Sequence, residues 1–173
     1  MADNVYMKRA FTLIELLVVM ALLGILTIIT VSQFKTAIIK GRDSQRKADL
    51  SSLSKALLYY YADYHSFPAS DDGFIDLGNG GLEWGVDEFK VIEDGKDYIY
   101  MKKLPKENSV GTKIFDYCYL SNGTSFQLYG QLENKEDKNI ILFPPTKNNI
   151  CGHDTQYYNF GYSSPDIKLE DNL

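Results

Sequence analysis

The sequence predicts an α+β fold in which a long N-terminal helix packs against a small antiparallel sheet. Three observations carry this. A 21-residue run, Phe11–Val31, holds a single ionisable group, Glu15. Helical spacing continues without proline to Tyr64. The period then changes to two around an Asn-Gly turn at Asn122-Gly123. The chain has 173 residues, about one domain's worth. Its 45% hydrophobic and 24% charged content excludes a disordered or collagen-like chain. With 18 basic and 23 acidic residues the formal charge is −5, which argues against a dedicated nucleic-acid binder.

The run FTLIELLVVMALLGILTIITV would span roughly 31 Å as a helix, about one hydrocarbon core. It is apolar all round, so it belongs in lipid or in a bundle of like helices. Lys8 and Arg9 stand just ahead of it. A secretory signal peptide, a plain anchor and a processed assembly helix compete for this segment. Against the signal peptide, the run is too long, carries Glu15, and ends in Thr30-Val31-Ser32, a poor cleavage site. A plain anchor leaves Glu15 without a role, since an ionised carboxylate is costly in hydrocarbon.

Lys8-Arg9-Ala10 followed by Phe11-Thr12-Leu13-Ile14-Glu15 resembles the class III leader of type IV prepilins and type II secretion pseudopilins. The resemblance implies a leader at 1–10, removed by prepilin peptidase at the Ala10–Phe11 bond, and N-methylation of Phe11. It departs from the family in one respect, since Ala10 stands where the family has Gly. Glu15 becomes the fifth residue of the mature chain, on the same helical face as the new amine at Phe11. In the family this Glu neutralises a neighbouring subunit's terminal amine, so Glu15 is the candidate assembly residue and sets the stagger between helices. Segment 11–33 is then the transmembrane and assembly helix, and 34–173 an amphipathic extension plus an extracytoplasmic globular β domain. The basic flank points the other way: Lys35, Lys40, Arg42, Arg46 and Lys47 lie downstream, against Lys8 and Arg9 upstream. The leader resemblance overrides that bias and implies a single pass through the cytoplasmic membrane with the N-terminus on the cytoplasmic side.

From Phe34 to Tyr64 apolar residues recur at Ala48, Leu53, Ala56, Leu57, Tyr60 and Tyr64, and Asp43–Lys47 reads as an i,i+4 pair on the polar side. Lys40-Gly41-Arg42 is a candidate bend or melted stretch. The helix should end before Ser66-Phe67-Pro68, because proline pushes its predecessor out of the α region. Tyr59-Tyr60-Tyr61 followed by Phe67-Pro68 is similar to the end of the helix in the major pseudopilins.

Residues 69–97 read as an acidic, glycine-rich loop with nine acids and two bases. No cofactor is expected; clustered Asp leaves calcium open, without EF-hand spacing. Phe115–Leu120 and Ser125–Leu132 read as a hairpin whose Phe126, Leu128 and Leu132 face the helix. Asn122-Gly123-Thr124 also fits a glycosylation sequon, but the turn reading is preferred. Ile140–Phe143, closed by Pro144-Pro145, Tyr98–Tyr100 and Tyr157–Tyr162 are further candidate strands. Twelve of the thirteen tyrosines lie beyond residue 58, read as strand residues with packed rings and wet hydroxyls rather than a binding platform. His65 reads as a helix-end residue, and neither it nor His153 matches a metal or triad spacing. No P-loop, G-x-G-x-x-G, H-E-x-x-H or G-x-S-x-G occurs, and no enzymatic activity is expected. Cys118 and Cys151 could form one disulfide, and the resemblance raises that expectation, since many type IV pilins close their C-terminal region this way.

The expected function is a structural subunit of a type IV pilus or type II secretion pseudopilus. Its partners would be copies of itself, prepilin peptidase and an inner-membrane assembly platform. The alternatives are a membrane-tethered extracytoplasmic binding domain that does not polymerise and a secreted enzyme with an unusual signal sequence.

Overall fold

The computed structural model describes residues 11–107, 116–142, 149–151, 153–154 and 158–171. Helix α1 runs from Leu13 to Tyr64 as 52 residues. Among the described residues ten short strands follow: β1 (Ala69–Asp71), β2 (Phe74–Asp76), β3 (Gly81–Leu82), β4 (Phe89–Glu93), β5 (Lys96–Met101), β6 (Cys118–Ser121), β7 (Phe126–Gly130), β8 (Asn149–Ile150), β9 (His153–Asp154) and β10 (Phe160–Ser163). The chain divides into two compact units, 1–39 and 40–173.

α1 remains helical through Lys40-Gly41-Arg42. It stops where expected: His65 adopts a left-handed φ of 55° and its N–H returns to the Tyr61 carbonyl at 2.8 Å. Within the second unit the buried stripe of α1 is Asp43, Arg46, Leu50, Leu53, Ala56 and Leu57. Ala48 lies off that stripe and is exposed. The stripe packs on Ile75, Phe89, Leu104, Tyr119, Phe126, Leu128, Leu132 and Phe160, and the expected Phe126-Leu128-Leu132 face is part of this core.

Among the described residues every strand pairing is antiparallel, and the pairings form four small sheets. β7 is central in the order β10-β7-β6, and all five of its residues are buried. Asn122 makes the β6–β7 turn, its Oδ1 accepting from the N–H groups of Thr124 and Ser125 at 3.1 and 2.9 Å. Gly123 takes the positive φ of 86° that this turn requires.

The expected loop at 69–97 holds most of two further sheets. β1-β2-β3 forms one, and β4 pairs with β5 in the other. Asp72-Gly73 (φ 43° and 87°) closes β1 onto β2, and Asp94-Gly95 (φ 50° and 73°) closes β4 onto β5. Asp-Gly with both residues at positive φ is the favoured two-residue hairpin turn. The aspartates thus serve turn geometry, and the apolar residues between them build strands. Among the described residues of the expected strand at Ile140–Phe143, none is in a strand; Ile141 only donates its N–H to the Asn159 carbonyl at 2.8 Å. Phe143, Pro144 and Pro145 lie outside the described residues, as do Phe115 and Tyr157.

Candidate assembly surface

In the first unit, the large apolar side chains from Leu13 to Ile28 are between 49% and 82% exposed. The helix carries an 18-residue window of mean hydropathy 2.7, long and apolar enough to cross a membrane. Glu15 stands near the start of this segment. Its carboxylate accepts from the Thr12 N–H at 2.9 Å and from the Thr12 hydroxyl at 2.7 Å, and the Thr12 hydroxyl accepts from the Glu15 N–H at 3.3 Å. This reciprocal arrangement is a capping box, which satisfies helix-end donors that lipid cannot. Thr12-x-x-Glu15 carries the signature openly, so Thr12 was legible as Glu15's partner in one chain. Phe11 is exposed; Ala10 lies outside the described residues.

Four of the charges near the start of the second unit are drawn inward. The Arg46 side chain, 3% exposed, has Nη1 at 2.7 Å from Asp43, Nε at 2.7 Å from Glu107 and Nη2 at 2.7 Å from Glu133. Arg42 also binds Glu133, with Nε on Oε1 at 2.8 Å. Asp43 accepts the backbone N–H groups of Glu133 and Asn134 at 2.9 and 2.8 Å. The expected Asp43–Lys47 pair is absent, because Asp43 faces the core and Lys47 reaches Asp137 at 2.6 Å instead. Burial alone would lower the Arg46 guanidinium, but its donation to Glu107 and its pairing with Glu133 hold it well above its ordinary range. Burial raises the Glu107 carboxyl, while the Arg42 hydrogen bond leads in lowering Glu133. A single helix residue thereby clasps two segments about sixty and ninety residues downstream.

Tyr117, Tyr119 and Tyr129 are buried packing residues, and their hydroxyls are not wet. Tyr119 donates to the Pro68 carbonyl at 2.8 Å, Tyr117 to Asp49 at 2.9 Å, and Tyr129 to the Gln127 side-chain oxygen at 2.7 Å. Rings this deeply buried must find a partner for the hydroxyl. No group of three or more His, Cys, Asp or Glu side chains able to hold a metal occurs among the described residues. Of the acids in 69–97, Asp76 caps the N–H groups of Gly78 and Gly80, and Asp87 caps that of Glu83. Cys118 and Cys151 are joined in a disulfide with Cα atoms 6.2 Å apart, linking β6 to the β8–β9 hairpin.

The first unit is an exposed apolar helix whose first turn carries one carboxylate, and the second is a small α+β domain, the arrangement of a pilin-like subunit. The prokaryotic N-terminal methylation motif matches residues 6–31. Type II secretion system core protein G of Pseudomonas aeruginosa is 32% identical over 130 residues, covering 70% of this chain and 81% of that protein. The chain belongs to the type IV pilin and type II secretion major pseudopilin family. No solved structure matches it significantly. The family is structural rather than enzymatic.

Proposed function

We propose that this chain is a processed, polymerising subunit, and that its filament is the pseudopilus of a type II secretion system in preference to a surface pilus. The exposed apolar helix with Glu15 as its one charge supports this reading most directly. Prepilin peptidase cuts at Ala10–Phe11 on the cytoplasmic side and methylates the Phe11 amine, and the domain beyond residue 33 lies outside the membrane. Copies then pack helix to helix, each Glu15 meeting the amine of a neighbour, because two opposite charges buried together cost less than either alone. The relative named above supports secretion as the setting.

Mass spectrometry of the mature protein tests the processing step: N-methyl-Phe11 should be its first residue. An uncut chain points to the membrane-tethered binding domain, and a cut near Ser32 to a secreted protein. Deleting the protein should abolish export of type II substrates and leave surface pili in place. Loss of surface pili with export intact overturns the secretion assignment.

A further inference from the structure

Strands β3 and β4, the segments ahead of each, and Tyr60 of α1 line a groove of about 690 Å³ on the second unit. Tyr60, Leu82, Val91 and Ile92 contribute apolar residues to its lining, and Asp87 and Glu88 contribute acids. Ile92 is 65% exposed, although it sits in a strand. The one base in the groove, Lys90, is held by Glu88 at 2.8 Å and Asp97 at 3.2 Å. Over residues 83–97 six acids face two bases, a net −4. Surfaces that are apolar, concave and of one sign commonly receive a complementary partner.

This chain carries that complement. Phe34 and Ile38, four residues apart on α1, are 69% and 42% exposed, and Lys35 and Lys40 flank them. Arg42, Arg46 and Lys47 are engaged inside the domain, but neither Lys35 nor Lys40 forms an ion pair with a described residue. The apolar pair and the two lysines follow the proposed membrane segment, 11–33, where water would otherwise cover the apolar pair.

We infer that the groove receives the Phe34–Lys40 stretch of a second copy of this chain, its apolar side chains against the apolar lining and its lysines against the acids of residues 83–97. The inference rests on the filament reading above. Between parallel helices, bringing Ile38 of one copy level with Tyr60 of another needs a stagger of 22 residues, about 33 Å. Glu15 opposite a Phe11 amine needs only four, about 6 Å. The two contacts therefore join different pairs of copies. The groove contact ties subunits several steps apart, whereas the amine contact ties adjacent ones.

The test uses assembled fibres of the full-length protein. Ile38→Cys with Ile92→Cys should give a disulfide-linked ladder on mild oxidation, at least ten-fold above either single variant. In unsubstituted fibres, zero-length coupling of amines to carboxylates should join Lys35 or Lys40 to an acid within 83–97 of another copy. Lys35→Glu with Lys40→Glu should remove that product. Normal fibres giving neither the ladder nor the coupled peptides overturn the groove contact and leave the filament standing. A ladder from Ile38→Cys alone also overturns it, since the helix would then face another helix. Absence of fibres from the unsubstituted chain overturns the filament reading itself.

Discussion

Replacing Arg46 with Met removes the centre of a buried cluster while preserving most of the side chain's volume. Asp43, Glu107 and Glu133 each lose a contact of 2.7 Å. Glu133 keeps Arg42, and Asp43 keeps two backbone donors, but Glu107 is left buried with no counter-charge among the described residues. Breaking one side of a buried pair costs about 3–5 kcal/mol, chiefly because the surviving charges stay desolvated. For a domain of this size that corresponds to a fall in Tm of about 10–20 °C near neutral pH. The pH dependence carries the sign. Glu133, lowered in the fold, contributes stability above its ordinary value that disappears as pH falls through its folded value. Glu107, raised by burial, favours the fold at low pH and loses that contribution as pH rises through its folded value. Without Arg46 both carboxyls move upward, so the variant suffers most when they are ionised and recovers as they protonate. Thermal unfolding of the detergent-solubilised chain from pH 8 to pH 4 should show the deficit shrinking on acidification. A deficit under about 1 kcal/mol at pH 7.5, or one that widens in acid, refutes the reasoning.

Glu15→Leu should leave membrane insertion and cleavage intact and reduce fibre yield, scored by immunoblot of sheared fibres; normal yield removes the registry role. Cys118→Ser with Cys151→Ser opens a loop with a sequence separation of 33, worth about 3–4 kcal/mol in the chain-entropy picture. Limited proteolysis should then cut first around β8–β9 and spare β10, which β7 holds through its own ladder; two free thiols in the unreduced, folded protein would contradict the bridge. Gly73→Ala would place a Cβ 3.0 Å from the Cys151 sulfur at a φ of +87°. It should destabilise the domain by about 1–3 kcal/mol, read as a lower urea midpoint with unchanged slope.

The long apolar segment, its lone carboxylate, the helix end at Tyr64 and the Asn122-Gly123 hairpin were legible because each is a local property. Residues three or four apart share a helix face, and Asn-Gly between two period-two runs marks a hairpin connection, whatever surrounds them. The same local rule, applied to Asp72-Gly73 and Asp94-Gly95, would have found two more hairpins; dense negative charge disguised strands as a loop. The Thr12–Glu15 box was equally local.

The fate of the charges was decided elsewhere. Asp43 and Lys47 have good spacing for each other, yet Asp43 continues the buried stripe of Leu50, Leu53 and Leu57 and meets Arg46, while Lys47 leaves for Asp137. The 35–47 segment reads as net basic, five bases against Asp43, but Glu107, Glu133 and Asp137 pair with three of the five bases. Those acids lie about sixty to ninety residues away in sequence, and no periodicity in a helix encodes them. By itself the sequence determined which segments are helical, which face is apolar and where the chain turns, because these follow from backbone sterics and neighbouring side chains. Only the tertiary structure decided which ions are buried and which remain free, because a charge's cost depends on the water removed around it and on partners that folding alone brings near.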